Sequence, residues 1–552
     1  MDNYIINSAS YVSLIENGAK NLALDYERIN ALNVFPVPDG DTGSNMKMTI
    51  EGGIKNSKDV KNLSLGEVSK SIARSMVLSA RGNSGVILSQ FFKGISLGLE
   101  NLETANVLEF ANAMIAGTKK AYSVVTNPTE GTVLTVMREA GEEAIKHIEE
   151  DTTLVDYLTY YIKEAHESLA RTPDLLPVLK KAGVIDSGGA GFILIIEGML
   201  KALKGEIIEK GSISTSSSSL DTSSFNADSE LTYGYCTEFI LQLQNSKVNT
   251  KTFDLDIITR FLKEHGNSIV AFKDEDIVKV HVHTFDPGLV LSECRKYGEF
   301  LTLKIENMNV QHSETEVVST EQESGEKEIE YKKYATVVVA NGSGLVEAFK
   351  EAGVDQVVSG GQTMNTSTED FINAFNHINA DYILVYPNNG NIKMAAKMAA
   401  DNYDKAKVIV IPTKTIAEGY SCISMLDTTS DDLDYIIEEQ NAVLDNVSTI
   451  EVTYSIRDCT INDLEISKGN HIVLYNDELI STNKERLEAL KDSIKKIEDF
   501  IEKQVLTLIY GKNVSEDEIN DFTSFVQSIN RYCEVFPIKG NQDIYSYIIG
   551  LE

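Results

Sequence analysis

Two aspartates two residues apart, Asp39 and Asp41, sit in the stretch Asn33-Val34-Phe35-Pro36-Val37-Pro38-Asp39-Gly40-Asp41-Thr42-Gly43-Ser44-Asn45-Met46. Proline fixes φ and glycine admits backbone conformations that other residues resist. Such a segment can hold two carboxylates in a set geometry. No lysine or arginine lies between Asn30 and Met46 to neutralise them. A hard cation is the usual remedy, and Mg²⁺ typically takes one or two carboxylates together with substrate phosphates. The alternative is a polar turn in which Asp41 caps a helix.

Three further glycine-rich breaks bear on that choice. Arg81-Gly82-Asn83-Ser84-Gly85 precedes the apolar helix beginning Val86-Ile87-Leu88. Asn127-Pro128-Thr129-Glu130-Gly131-Thr132 opens a helix at Val133, and Asp186-Ser187-Gly188-Gly189-Ala190-Gly191 opens one at Phe192. Glycines free backbone N–H groups, and a helix N-terminus favours an anion. Four such breaks, one with paired aspartates, point to a shared nucleotide-phosphate and metal site.

The elements that must position these breaks are helices. In Val133, Val136, Met137, Ala140, Ala144, Ile145 and Ile148 the apolar positions recur at three and four residues, which marks one buried helix face. Segments near 5–31, 65–80, 86–99, 105–122 and 155–170 fit helices too. Residues 1–206 therefore read as an all-α bundle of about eight helices.

The chain of 552 residues is long enough for about three domains. Its net charge of −33 argues against nucleic acid, whose phosphates select lysine and arginine patches, and against a lasting anionic-membrane anchor. No apolar run is long enough for a transmembrane helix. The N-terminus lacks a signal-peptide pattern. Cys236, Cys294, Cys422, Cys459 and Cys533 are scattered and odd in number, as expected of a reduced, cytoplasmic protein.

Residues 207–230 are serine-rich and read as a linker. Residues 231–311 give the order βαββαβ, a ferredoxin-like α+β pattern. In Ile277-Val278-Lys279-Val280-His281-Val282-His283 the valines face one side and Lys279, His281 and His283 the other. First and third strands are usually neighbours in this topology, so Cys236 and Glu238 could lie beside His281 and His283. One cysteine and two histidines with an open fourth position form a zinc-like set; a solvated outer strand face is the alternative. Glu238, Asp286 and His312 are further ligand candidates. Residues 312–332 form an acidic linker. From 333 to 552 apolar strands (335–340, 355–359, 381–386, 407–411) alternate with helices, the mark of a parallel α/β sheet. Strands near 447–456, 471–475, 505–510 and 533–538 follow, with helices near 482–500 and 515–529. Ligands of such sheets sit beyond the strand carboxyl ends, where Ser359–Asn365 and Pro387–Asn391 fall.

On Asp39–Met46, Arg81–Gly85 and Asp186–Gly189, residues 1–206 resemble the nucleotide-binding L subunit of dihydroxyacetone kinases. The longer Asn33–Gly43 form resembles the ATP-binding subunit of the bacterial fatty acid kinase, and the C-terminal half resembles the DegV family. The resemblance implies an eight-helix barrel holding ATP and Mg²⁺ at one end. Asp39 and Asp41 would be the catalytic metal ligands. Asn33 stands where the sugar kinases usually carry a third aspartate. Thr42, Ser44, Asn45, Met46, Arg81, Gly82, Asn83, Ser84, Gly85, Gly131, Thr132, Asp186, Gly188 and Gly189 would surround the nucleotide. It further implies a Zn²⁺ site at Cys236, His281 and His283, a homodimer, and a separate DegV-family carrier that presents a fatty acid. An ionised carboxylate acceptor needs no general base, and none is evident among these motifs. Direct phosphorylation of a small hydroxylated metabolite and a non-enzymatic nucleotide-binding scaffold are the competing readings.

Overall fold

The structure is a computed structural model that describes residues 3–33, 40–55, 63–208, 235–250, 253–274, 276–307, 331–361, 365–461 and 464–552. Asp39, His312 and most of both linkers lie outside the described residues. Met1–Lys210 and Gly325–Glu552 form one compact unit, and Gly211–Ser324 a second.

In the first unit the N-terminal helices are α1 (Ser8–Ala23), α2 (Tyr26–Asn30), α3 (Thr42–Ile54), α4 (Leu65–Leu78), α5 (Gly82–Gly98), α6 (Val107–Ser123), α7 (Val133–Ala144), α8 (Leu154–Leu175), α9 (Pro177–Ala182) and α10 (Ser187–Leu203). Their starts are written in the sequence. Asn7, Ser64, Asn106 and Thr153 each close a capping box on the residue three positions on, which satisfies N–H groups that the helix leaves open. The apolar faces meet in one core that includes Tyr11, Ile50, Phe91, Phe92, Met137, Tyr161 and Phe192.

The segment near 5–31 is not one helix. Ile5–Asn7 (β1) pairs antiparallel with Thr104–Asn106 (β2), and the chain breaks again at Leu24–Asp25 between α1 and α2. The helix from Val133 ends at Ala144, so Ile145 and Ile148 fall beyond it. Two glycine-rich breaks are helix, not loop: α5 begins at Gly82 and α10 at Ser187. Glycine's low helix propensity disguises these first turns, where its missing side chain permits close approach. The same holds in α3, where a β-carbon on Gly43 would lie 2.2 Å from the Tyr26 carbonyl oxygen.

The C-terminal part of this unit opens with β7 (Lys332–Ala340), β8 (Gln356–Ser359), β9 (Ala380–Tyr386) and β10 (Lys407–Val410), all parallel in the order β10-β9-β7-β8. A six-stranded sheet follows in the order Glu478–Asn483, His471–Tyr475, Ser448–Tyr454, Tyr547–Leu551, Val505–Tyr510, Glu534–Lys539. Glu478–Asn483 occupies what reads as the start of a helix near 482–500, and the helix there runs only over Arg486–Ile494. Ala80 and Val86 of the helical part share one buried cluster with Val337, Val339, Phe371, Ile383, Val385 and Ala396 of the parallel sheet and its helices. The two parts thus have a common core.

The second unit runs β3 (Tyr235–Leu243), α11 (Asp256–His265), β4 (Asn267–Asp274), β5 (Ile277–Thr284), α12 (Pro287–Cys294) and β6 (Gly298–Asn307). Its sheet has the order β4-β5-β3-β6, every neighbour antiparallel. Val278, Val280 and Val282 are fully buried with Phe239, Leu241, Ile258, Leu262 and Val290.

Candidate functional site

The first and last long helices of the helical part bring its glycine-rich segments together. Asn17 and Asn21 on α1 donate side-chain hydrogen bonds of 2.7 Å to the Gly198 and Leu194 carbonyls of α10. The start of α10 therefore lies beside the start of α3. The Ser187 hydroxyl donates to the Thr42 hydroxyl at 3.3 Å and to the Asn33 amide oxygen at 3.4 Å, and Thr42 donates to that same oxygen at 3.0 Å. The Ser84 hydroxyl, in the first turn of α5, reaches the Thr42 carbonyl at 3.5 Å. Asp186 ties in the fourth helix start: it caps α10 by accepting from the Gly189 N–H at 2.6 Å and also accepts from the Val133 N–H at the start of α7. Four helix N-termini meet on one face, where their dipoles favour negative charge.

Asp41 occupies the N-cap position of α3, but its side chain makes no capping hydrogen bond. Its carboxylate instead accepts from two amides. Asn45 Nδ2, one turn along α3, lies 2.8 Å from Oδ1, and Asn365 Nδ2, from the loop after β8, lies 2.5 Å from Oδ2. Asn45 and Asn365 are 2% and 1% exposed. The carbonyl oxygens of both side chains, and that of Asn83, are buried without a hydrogen-bond partner. Carboxylate, amide and hydroxyl oxygens are the donor set that Mg²⁺ takes, and orphaned buried acceptors call for a partner. The residues present therefore fit a hard divalent cation.

The other candidates divide. Gly82 has φ +57°, and a β-carbon there would come within 2.4 Å of Asn45 Nδ2 and 2.9 Å of Asn365 Nδ2. Glycine is needed on both counts. Gly85 lies against the Thr49 hydroxyl, which donates to the Asn45 carbonyl at 2.7 Å and accepts from the Arg81 N–H at 3.3 Å. Arg81 Nη1 donates to the Asn365 carbonyl at 2.5 Å and pairs with Asp370 at 3.4 Å. Gly188 and Gly189 pack beside the Asp186 carboxylate. Ser44 is bonded to Asn30 through both its N–H and its hydroxyl, and Met46 lies in the core. Gly131 donates its N–H to Thr135, and the Thr132 hydroxyl to the Thr129 carbonyl. These four residues are thus engaged elsewhere than at the Asp41 carboxylate. Burial pushes the Asp186 carboxyl up to about 6 from an ordinary 3.8, against the two N–H bonds that lower it.

Two contributors have no signature in the local sequence. Asn365 was visible only as the end of a loop beyond a strand. Arg457, between Ser448–Tyr454 and Cys459–Ile461, donates to the Ala31 and Asn33 carbonyls at 2.6 and 2.7 Å. The second strand-end loop has another setting. Pro387, Asn388 and Asn389 line, with Gly360, Gly361 and Gln542, a cavity of about 20 Å³, room for roughly one water molecule. An acyl chain does not fit there.

In the second unit, pairing of β3 with β5 sets Cys236 opposite His283 and Glu238 opposite His281. The side chains of these four residues lie outside the described residues. Among the described residues no group of three His, Cys, Asp or Glu is placed to hold a metal ion. Nor is any helix among them long and apolar enough to cross a membrane.

Comparison with known proteins gives three family matches. The DAK2 domain matches residues 36–201, the FakA-like middle domain of fatty acid kinase 232–315, and the FakA-like C-terminal domain of fatty acid kinase 335–552. Protein YloV of Bacillus subtilis is 36% identical over 560 residues, covering 99% of each chain. An uncharacterized protein of Staphylococcus epidermidis, SERP0792, is 36% identical over 563 residues, again covering 99% of each. Among solved structures, the DegV family protein Cg2579 from Corynebacterium glutamicum matches 39% of this chain and 96% of its own, at 10% identity and a TM-score of 0.30. The three domain matches along this chain, with end-to-end similarity to the first two proteins, place it in the FakA-like family of fatty acid kinase subunits.

Proposed function

We propose that this kinase subunit transfers the γ-phosphoryl group of ATP to the carboxylate of a fatty acid, giving an acyl phosphate for phospholipid synthesis. The acid is presented by a separate fatty-acid-binding protein of the DegV family. The observation that carries the reading is the Asp41 carboxylate between two buried amides, at the face where four helix N-termini meet. Phosphoryl transfer asks mainly for positioning and charge neutralisation. Asp41, with Asp39 and Asn33, would hold Mg²⁺, which when bound neutralises charge on the transferring phosphate oxygens. The starts of α3, α5, α7 and α10 would orient the ATP phosphates, and the hydroxyls of Thr42, Ser84 and Thr132 would turn from their present acceptors, Asn33 and the Thr42 and Thr129 carbonyls, to donate to them. Gly82 keeps the first turn of α5 open beside Asn45 and Asn365. A carboxylate acceptor is ionised near neutral pH, so the absence of a general base among these residues is no obstacle. Asp186, a further carboxyl on this face, is committed to the backbone N–H groups of Gly189 and Val133.

The reading extends to the second unit, where Cys236, His281 and His283 would hold Zn²⁺. It also extends to a cytoplasmic homodimer, for which the mass in solution is the check. The test of the main reading is ATP consumption by the full chain with a fatty acid and a DegV-type carrier. Turnover should require both, and Asp41→Ala should lower it at least 100-fold, as loss of a metal-holding carboxylate does. Turnover of dihydroxyacetone without any carrier, or normal turnover by Asp41→Ala, would overturn it.

A further inference from the structure

We propose that Asn365 is a positioning residue for the nucleotide and cation site, so that the helical part holds an incomplete site and the α/β part completes it. This rests on the phosphotransfer reading and deepens it. Asp41 is gripped from two directions. Asn45 belongs to the same helix, whereas Asn365 arrives from 324 residues further along the chain. A carboxylate bonded through one oxygen to each of two fixed amides cannot turn about its own axis without breaking a hydrogen bond to a charged group.

Asn365 is itself held. Its main-chain carbonyl accepts from Arg81 Nη1, and Arg81 also pairs with Asp370 at the start of the helix Thr368–Asn376. Arg81 and Ser367 form an antiparallel bridge, and the Thr368 N–H donates to the Ala80 carbonyl at 3.2 Å. The strand-end loop is thereby stitched to the turn between α4 and α5, over the core shared by Ala80, Val86 and the parallel sheet. The amide is rigid from both ends.

The arrangement also has a cost that a purely structural contact would not carry. The Asn365 and Asn45 side-chain oxygens are left buried and unpartnered. Each such acceptor is unfavourable unless something satisfies it. The amide nitrogens face the carboxylate, and the oxygens left over are of the type that a hard cation takes. A packing role would be met as well by an apolar side chain, which would leave no orphaned oxygen. The glycine at 82 belongs to the same design, since any β-carbon there would strike both amides.

The consequence is that nucleotide affinity depends on the α/β part through one side chain. The test uses the full chain with ADP as probe, titrated in Mg²⁺ and in EDTA, and thermal unfolding without nucleotide. Asn365→Ala should weaken Mg²⁺-dependent ADP binding about 10- to 100-fold, the worth of a hydrogen bond to a charged group, with EDTA binding unchanged. Asn365→Asp keeps size and shape but sets two carboxylates face to face. Its midpoint in EDTA should fall below that of the wild type, and Mg²⁺ should raise it by more than it raises the wild type. This isosteric variant carries the test where Asn365→Ala does not fold. Wild-type Mg²⁺-ADP affinity in both Asn365 variants, with binding lost in Asp41→Ala, would reduce Asn365 to packing and leave the phosphotransfer reading standing. Binding retained in Asp41→Ala would overturn that reading itself.

Discussion

At Asp186 burial and hydrogen bonding pull in opposite directions, and burial wins. The carboxyl accepts two backbone N–H bonds yet titrates near 6 rather than 3.8. An acid with a raised folded pKa stabilises the fold while protonated and loses that contribution as pH rises through the folded value. Its contribution is therefore full below about 4 and gone above about 6, opposite to a salt-bridged carboxylate. A shift of this size corresponds to roughly 2–3 kcal/mol. Asp186→Asn keeps an acceptor and removes the charge. In urea unfolding, the stability of wild type relative to this variant should fall by about that amount between pH 4 and pH 7. A pH-independent difference would show that Asp186 does not titrate in this range. The sequence made Asp186 a candidate, since it opens a glycine-rich helix start. Its bond to Val133 could not be read there, because those two residues meet only through the packing of α7 against α10. The spacing of Asp39 and Asp41 left a cation ligand and a helix cap both open for Asp41, and what holds its side chain was not legible. Asn45 lies four residues on, within reach of inspection, whereas Asn365 is joined to it only by the fold.

Among the elements, apolar periodicity located the long helices, including starts near 65, 133 and 155, but set the glycine-rich starts of α5 and α10 too late. At Gly82 and Gly191 a β-carbon would lie 2.4 Å from Asn45 Nδ2 and 2.8 Å from Met46 Sδ, a tertiary constraint that propensity cannot express. Strand Tyr547–Leu551 was missed at the end of the chain although all five residues are buried at the centre of a sheet. In the second unit the pattern was more telling. Alternation along β5 separated the valines from the histidines, and the pairing of β3 with β5 sets Cys236 and Glu238 at the register of those histidines. The zinc proposal belongs at this scale, because it depends on two strands being adjacent and in that register. Purified protein should contain about one transition-metal ion per chain beyond Mg²⁺, as one Cys/His set would hold. The variant His281→Ala, His283→Ala should lose it. Unchanged metal content by elemental analysis would place the ion elsewhere or nowhere.

Over the whole molecule, no helix among the described residues is long and apolar enough to cross a bilayer. The division of labour was less visible. The helical part and the α/β part read as separate modules joined through a middle domain, and their contact has no periodic signature. Arg457 reaches back 426 and 424 residues to the Ala31 and Asn33 carbonyls, on the approach to the paired aspartates. Pairings of that span leave no trace in a single sequence.

The cluster that joins Ala80 and Val86 to the strands of the parallel sheet has one more consequence. A core shared by two segments is lost from both at once, so they should melt as a single cooperative body. Ligand energy gained at the helix starts would then be spread across strands that never touch the ligand. With Mg²⁺-ADP bound, amide hydrogens in β7 and β9 should exchange more slowly, by about the same free energy as those of α3 and α5. Protection confined to the helices would mean that the shared core transmits nothing. Chain topology separates the two parts, whereas their stability is held in common.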